Sequence, residues 1–109
     1  TILNVPLAPR SGSTAFRRAY EDTVFPRLRA FKPDLILVSA GFDAHRDDPL
    51  AELTLETDDF TWITDRLCDL ADDLCGGRLV SCLEGGYNLY ALAESTAAHV
   101  DVLIKRGGA

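Results

Sequence analysis

Eleven residues constrain this chain more than any others: Leu35-Ile36-Leu37-Val38-Ser39-Ala40-Gly41-Phe42-Asp43-Ala44-His45. The run from Leu35 to Ala40 is apolar but for Ser39, and too short for a typical helix. Its branched side chains suit a pleated surface. A nearly continuous apolar strand belongs in a parallel sheet covered on both faces, so it demands helices around it. In open α/β folds, ligands and reactive groups gather just beyond the carboxyl ends of parallel strands. Asp43 therefore stands where a buried strand hands a carboxylate to a site.

The remaining segments alternate in a way that supplies those helices. Ile2 to Leu7, interrupted by Pro6 and closed by Pro9, reads as a brief strand. Ser13 is a candidate N-cap, and Phe16, Tyr20, Val24 and Leu28 recur every four residues as a helical stripe. Pro26 either kinks that helix or opens a second one at its first turn. Lys32-Pro33-Asp34 then turns into the central strand. From Gly41 to Thr57 periodicity disappears and acids accumulate, and a loop this long in a small domain is functional or disordered. Thr57 or Asp58 caps the next helix, with Phe60, Ile63, Leu67, Leu70 and Leu74 inside and Gly76-Gly77 at its end. Arg78 to Leu83 is a further strand. Glu84-Gly85-Gly86-Tyr87 is a tight turn, and Asn88 caps a last helix. That helix buries Leu89, Leu92, Thr96, Val100 and Leu103 and closes at Gly107-Gly108. Strand, helix, three times over, predicts an α/β domain with right-handed crossovers and a parallel sheet.

Length and charge narrow the function classes. A chain of 109 residues holds one domain at most. A net charge of −6 without a basic stripe argues against a direct nucleic-acid partner. No apolar run approaches the roughly 20 residues of a membrane span, and no signal-peptide pattern opens the chain. Three cysteines without short C-x-x-C spacing favour reduced thiols in an intracellular, cytoplasmic setting, where they pack as small apolar residues. An apolar segment with no initiating Met reads as a chain that starts mid-protein.

Few residues are candidates for chemistry. Burying an ionised carboxylate is costly unless it is paired or metal-bound, so Asp43 is a ligand or catalytic acid. The competing reading makes it a helix cap or a surface loop acid. Asp43 and His45 alternate along an extended segment, but Gly41 breaks its regularity and turns His45 to the site rim. Tyr87 follows two glycines that let a backbone approach a substrate, and its phenol can donate to a developing oxyanion. It is equally read as a filler between strand and helix. The glycine pair lacks the lysine and spacing of a phosphate loop. Glu84 ligates, acts as base or pins its loop, and His99 reads as a helix-face residue.

Two segments carry a resemblance to a known family. Ser39-Ala40-Gly41-Phe42-Asp43-Ala44-His45-Arg46-Asp47-Asp48-Pro49-Leu50 and Leu83-Glu84-Gly85-Gly86-Tyr87-Asn88-Leu89 resemble the zinc-dependent histone deacetylases. Within them the chain is most similar to class II and the bacterial deacetylase-like amidohydrolases, including acetylpolyamine amidohydrolases. Asn4-Val5-Pro6-Leu7 with Gly12 adds to a similarity that covers essentially the whole chain. It implies a three-layer arginase/deacetylase-type fold with a parallel sheet, of which residues 1–109 are the C-terminal β/α units. Asp43 would then match an aspartate ligand of the catalytic Zn2+, and Tyr87 the tyrosine that stabilises the tetrahedral oxyanion. Leu50 would line the mouth of the acyl tunnel and Gly85 and Gly86 its floor, while His45 matches no ligand. The expected substrate is acetylated lysine or a small acetylated amine.

The resemblance also requires a further aspartate and a histidine as ligands, and an adjacent pair of histidines as base. The chain has two histidines, His45 and His99, and no such pair. The expectation is therefore half a site that alone neither holds zinc tightly nor deacetylates. The alternative is a non-catalytic binding or regulatory module derived from that fold. A sheet cut from a larger one would leave an edge and a packing surface bare and favour self-association.

Overall fold

The two apolar runs do become strands. β1 (Ile36–Ala40) and β2 (Leu79–Leu83) pair in parallel, Ile36 opposite Leu79 through Ala40 opposite Leu83, in a computed structural model that describes residues 1–107. Four helices accompany them: α1 (Ser13–Ala19), α2 (Phe25–Phe31), α3 (Thr57–Cys75) and α4 (Leu89–Arg106). The expected first strand is absent among the described residues. Ile2 to Leu7 joins no ladder and is largely exposed, because β1 and β2 pair only with each other. The expected end of the last helix falls partly on Gly108, which lies outside the described residues.

Side-chain alternation assigns the faces of the sheet. Ile36, Val38 and Ala40, with Leu79 and Ser81 beside them, face α3 and α4. Leu37, 71 % exposed, lies on the opposite face with Ser39, Val80 and Cys82. The sheet is therefore covered on one face, not two. Ile36, Leu70, Ala71 and Cys75 form one core cluster, with Phe25, Leu28, Val38, Leu67, Leu74 and Leu79 around it. Ala40, Phe42, Leu55 and Phe60 form a second, directly beneath the carboxyl end of β1. Full burial of side chains such as Leu55 and Leu70 contributes about 1.5–3 kcal/mol each.

Pro26 sits in the first turn of α2, the second of its two expected placements. Residues Tyr20–Val24 wind as a π turn between α1 and α2, and the Phe25 N–H reaches back five residues to Tyr20 O. Widening the winding here removes the collision between the proline ring and the preceding turn. The inner stripe consequently skips a residue. Phe16 and Tyr20 are followed by Phe25 rather than Val24; Tyr20 packs between Phe16 and Phe25, and those two rings meet Trp62 of α3.

The ends of α3 and α4 hold them in place. Glu56, not Thr57 or Asp58, is the N-cap of α3. The fully buried Asp59 accepts from the Glu56 N–H at 2.9 Å and the Ser13 hydroxyl at 2.6 Å, and from Arg17 Nε at 2.9 Å. Ser13 therefore serves α3, while Gly12 caps α1. Burial raises the Asp59 carboxyl, but Ser13, the Glu56 amide and Arg17 together bring it below its ordinary value. Gly76, at φ 62°, ends α3 in the left-handed conformation its sequence implied. Asn88 caps α4 as expected, its Oδ1 accepting from the Ala91 N–H at 2.9 Å. At the far end Arg106 reaches Asp65, Asp69 and Asp72 of α3.

The buried side of α4 differs from the expected one. Ala91, Ser95, His99 and Val102 face inward, whereas Leu89 and Val100 are exposed. Small residues let α4 lie close on α3, and His99 pins the contact. Thr64 Oγ1 donates to Phe60 O and so accepts from His99 Nδ1, while the Ser81 hydroxyl donates to Nε2, both at 2.8 Å. Burial pushes the His99 imidazole below its ordinary pKa, which keeps it neutral. His99 is thus an interior cross-link between α3, β2 and α4. Cys68 and Cys75 pack inside as expected, Cys82 does not, and all three are free thiols.

Candidate functional site

The carboxyl ends of β1 and β2 stay joined after the strands finish. The Glu84 N–H donates to Ala40 O at 2.9 Å, and the Phe42 N–H to Gly85 O at 2.8 Å. Loop 41–56 is thereby held against loop 84–88. Loop 41–56 is itself ordered: Leu55, fully buried, exchanges backbone hydrogen bonds with Ala44 and Arg46, and Thr54 bonds Ser11.

Asp43 occupies a slot between two glycines. A methyl group on Gly85 would stand 3.2 Å from Asp43 Cγ and Oδ2, and one on Gly41 3.4 Å from Oδ1. No described residue donates a hydrogen bond to this carboxylate. Among the described residues it caps no helix and joins no ion pair; it stands half-buried and unpartnered in its loop, as a loop acid or a ligand would. Gly86, at φ 142°, adopts a backbone that side-chain-bearing residues rarely take, and it directs the chain to Tyr87. The Tyr87 side chain is 55 % exposed and fills no gap between strand and helix. Leu50, 64 % exposed, lies on the other loop of the same end. Glu84 is exposed and its carboxylate pins nothing among the described residues.

His45 departs from the expected rim position. It is 4 % exposed, stacked on Phe60 at 6.5 Å between ring centroids. Its Nδ1 accepts from the Asp47 N–H at 3.1 Å, which leaves Nε2 to donate to Thr57 Oγ1 at 3.3 Å. The imidazole staples the loop from within and faces away from solvent.

One residue of this end escaped the motif reading. Asp48, 8 % exposed, accepts from the Leu50 N–H through Oδ1 at 2.9 Å and from the Tyr87 N–H through Oδ2 at 2.8 Å. Burial raises its carboxyl, but the amides of Leu50, Tyr87, Asn88 and Ala51 outweigh that and hold it below its ordinary value. The dipeptide Asp48-Pro49 was the available signal, because an aspartate before proline commonly bonds the amide two residues on.

A metal would find one ligand here. Among the described residues no group of three or more His, Cys, Asp or Glu side chains is arranged to hold a metal ion. Asp43 offers a single carboxylate, and both imidazoles are engaged in the interior. The residues present therefore do not fit a complete zinc site. No described helix is long and apolar enough to cross a membrane.

Comparisons with known proteins agree with this layout. The histone deacetylase domain model matches residues 1–103. "Histone deacetylase 10, chloroplastic" of Oryza sativa subsp. japonica is 50 % identical over 97 residues, 89 % of this chain and 22 % of that protein. The "histone deacetylase-like amidohydrolase" of Pseudomonas aeruginosa is 46 % identical over 86 residues, 79 % of this chain and 23 % of that one. The crystal structure of the HDA15 HD domain superposes with a TM-score of 0.79 at 36 % identity, covering 90 % of this chain and 27 % of that one. The histone deacetylase Clr3 gives 0.81 at 30 % identity, covering 90 % and 16 %. The chain thus spans under a quarter of the length of these two curated relatives. Its two parallel strands and their helices are part of the arginase/deacetylase-type α/β fold, and the chain belongs to the histone deacetylase domain family.

Proposed function

We propose that this chain supplies one wall of a zinc-dependent deacetylase site acting on the amide of acetylated lysine or a small acetylated amine. The observation that carries the reading is the slot between Gly41 and Gly85, which leaves the Asp43 carboxylate unpaired beside the turn bearing Tyr87. Tyr87 donates its phenol hydrogen bond to the amide oxygen as that oxygen gains charge, and keeps its proton. A donor of this kind contributes roughly 10²–10³-fold to turnover. Asp43 is the one metal ligand the chain offers, Leu50 borders the entrance for the acyl chain, and Gly85 and Gly86 form the floor. In a complete site zinc supplies Lewis-acid activation of water and carbonyl. The described residues do not assemble that site.

The same shortage of ligands favours a second reading, a non-catalytic binding module built on the deacetylase fold. Zinc analysis and a fluorogenic acetyl-lysine assay separate the possibilities. The 109-residue chain should retain no stoichiometric zinc and show no turnover, whereas a longer chain that adds the missing ligands should show both. In that longer chain Tyr87→Phe should lower kcat about 10²–10³-fold with zinc content unchanged. Undiminished kcat removes Tyr87 from the mechanism, and a longer chain without turnover favours the binding module.

A further inference from the structure

We propose that Asp48 is a positioning residue: its carboxylate fixes the distance between Leu50 and Tyr87 and thereby aims the Tyr87 phenol. The proposal rests on the role given to Tyr87 above.

The geometry divides the carboxylate between two loops. Oδ1 takes the Leu50 N–H within its own loop, and Oδ2 takes the Tyr87 N–H from a residue 39 positions later. The amides of Ala51 and Asn88 also favour the ionised carboxylate, so both loops act on it. A buried carboxylate is costly unless its oxygens are satisfied, and bonds to an ionised acceptor are the strong kind. Withdrawal of either loop strands the charge, so the two loops keep their spacing together. Pro49 reinforces the local half, because its fixed φ narrows the turn that presents the Leu50 N–H.

The bond is made to the Tyr87 backbone, not to its ring. It fixes where the side chain starts while leaving the phenol free to meet a ligand. Gly85 and Gly86 cannot do this themselves. Two glycines give the turn freedom, with Gly86 at φ 142°, and an external restraint narrows what that turn can adopt. Asp48 is that restraint. Asp47 beside it is exposed and contacts neither loop end in this way.

Two measurements test the proposal, one of them independent of activity. Asp48→Asn keeps the shape of the side chain but turns an N–H donor toward one of the two amides. In the 109-residue chain, amide hydrogen exchange at Leu50 and Tyr87 should accelerate about ten- to a hundredfold while the β1–β2 ladder keeps its protection. Unchanged protection at Tyr87 overturns the proposal whatever the activity. In a longer chain with turnover, Asp48→Asn should lower kcat about tenfold or more. Combined with Tyr87→Phe it should add less than about twofold, because a residue acting through the phenol has nothing left to position. A full additional loss in the double variant marks a folding defect and overturns the positioning role. If no chain containing these residues turns over an acetylated amine, the function above fails, and the exchange measurement alone decides the restraint.

Discussion

At Gly86 the backbone angle and the neighbouring side chain act together. A methyl group there would meet Leu92 Cδ1 at 2.7 Å, on a residue already at φ 142°. The leucine tip can yield, but the backbone conformation cannot be adopted cheaply by alanine. Gly86→Ala should therefore lower the unfolding free energy by about 1–3 kcal/mol, read from urea denaturation. A loss below about 0.5 kcal/mol would show that the turn rearranges without strain. Gly85 differs, since its missing methyl group gives Asp43 its place rather than permitting a backbone angle. The residue scale also shows where motif reading ends. Asp43 and Tyr87 announce themselves through their positions after strands. Asp48 does so only weakly, because its partners are main-chain amides and one of them is 39 residues away.

Among the elements, α4 depends on His99 for its docking. The imidazole is neutral in the folded chain, its pKa depressed by burial, and its hydrogen-bonding neighbours Thr64 and Ser81 carry no charge. The unfolded chain binds the extra proton first as pH falls. Its stabilising contribution is thus complete above the ordinary histidine value near 6.5 and declines below it, until the folded pKa is passed. The urea midpoint should fall between pH 7.5 and 5.5, and His99→Gln should flatten that slope; an equal slope in the variant would place the sensitivity elsewhere. The same helix explains one failure of hydropathy patterning. Leu89, Val100 and Ile104 are bulky, apolar and exposed, yet Ala91, Ser95, His99 and Val102 are the buried ones. Close approach to α3 rewards small side chains and a satisfied imidazole, which a count of apolar residues does not weigh. The strands were plainer, since apolar runs ending in Gly41 and Glu84-Gly85 had no other good use. Ile2 to Leu7 had strand composition without a partner, and composition cannot supply one.

For the whole molecule, the feature that bears on behaviour in solution is the uncovered face of the sheet. Leu37 and Val80 stand side by side in the register, with Ser39 and Cys82 next along, and all four are open to water. Paired apolar side chains exposed on a two-stranded sheet favour association. Light scattering should find oligomers of the 109-residue chain that Leu37→Lys reduces, and a monomer at high concentration would remove this expectation. The π turn before Pro26 has a consequence at this scale too. Each α-helical residue advances the winding by about 100°. The one additional residue between Tyr20 and Phe25 therefore works as a phase adjuster between two otherwise independent halves of a helix. It lets Phe25 and Leu28 face the core under the sheet while Ser13 and Arg17 still come round to Asp59. Through Gly12, which bridges to Thr54, that rotational setting is carried into the loop 41–56 that holds Asp43. A single-residue deletion in this turn should disturb the loop that carries Asp43.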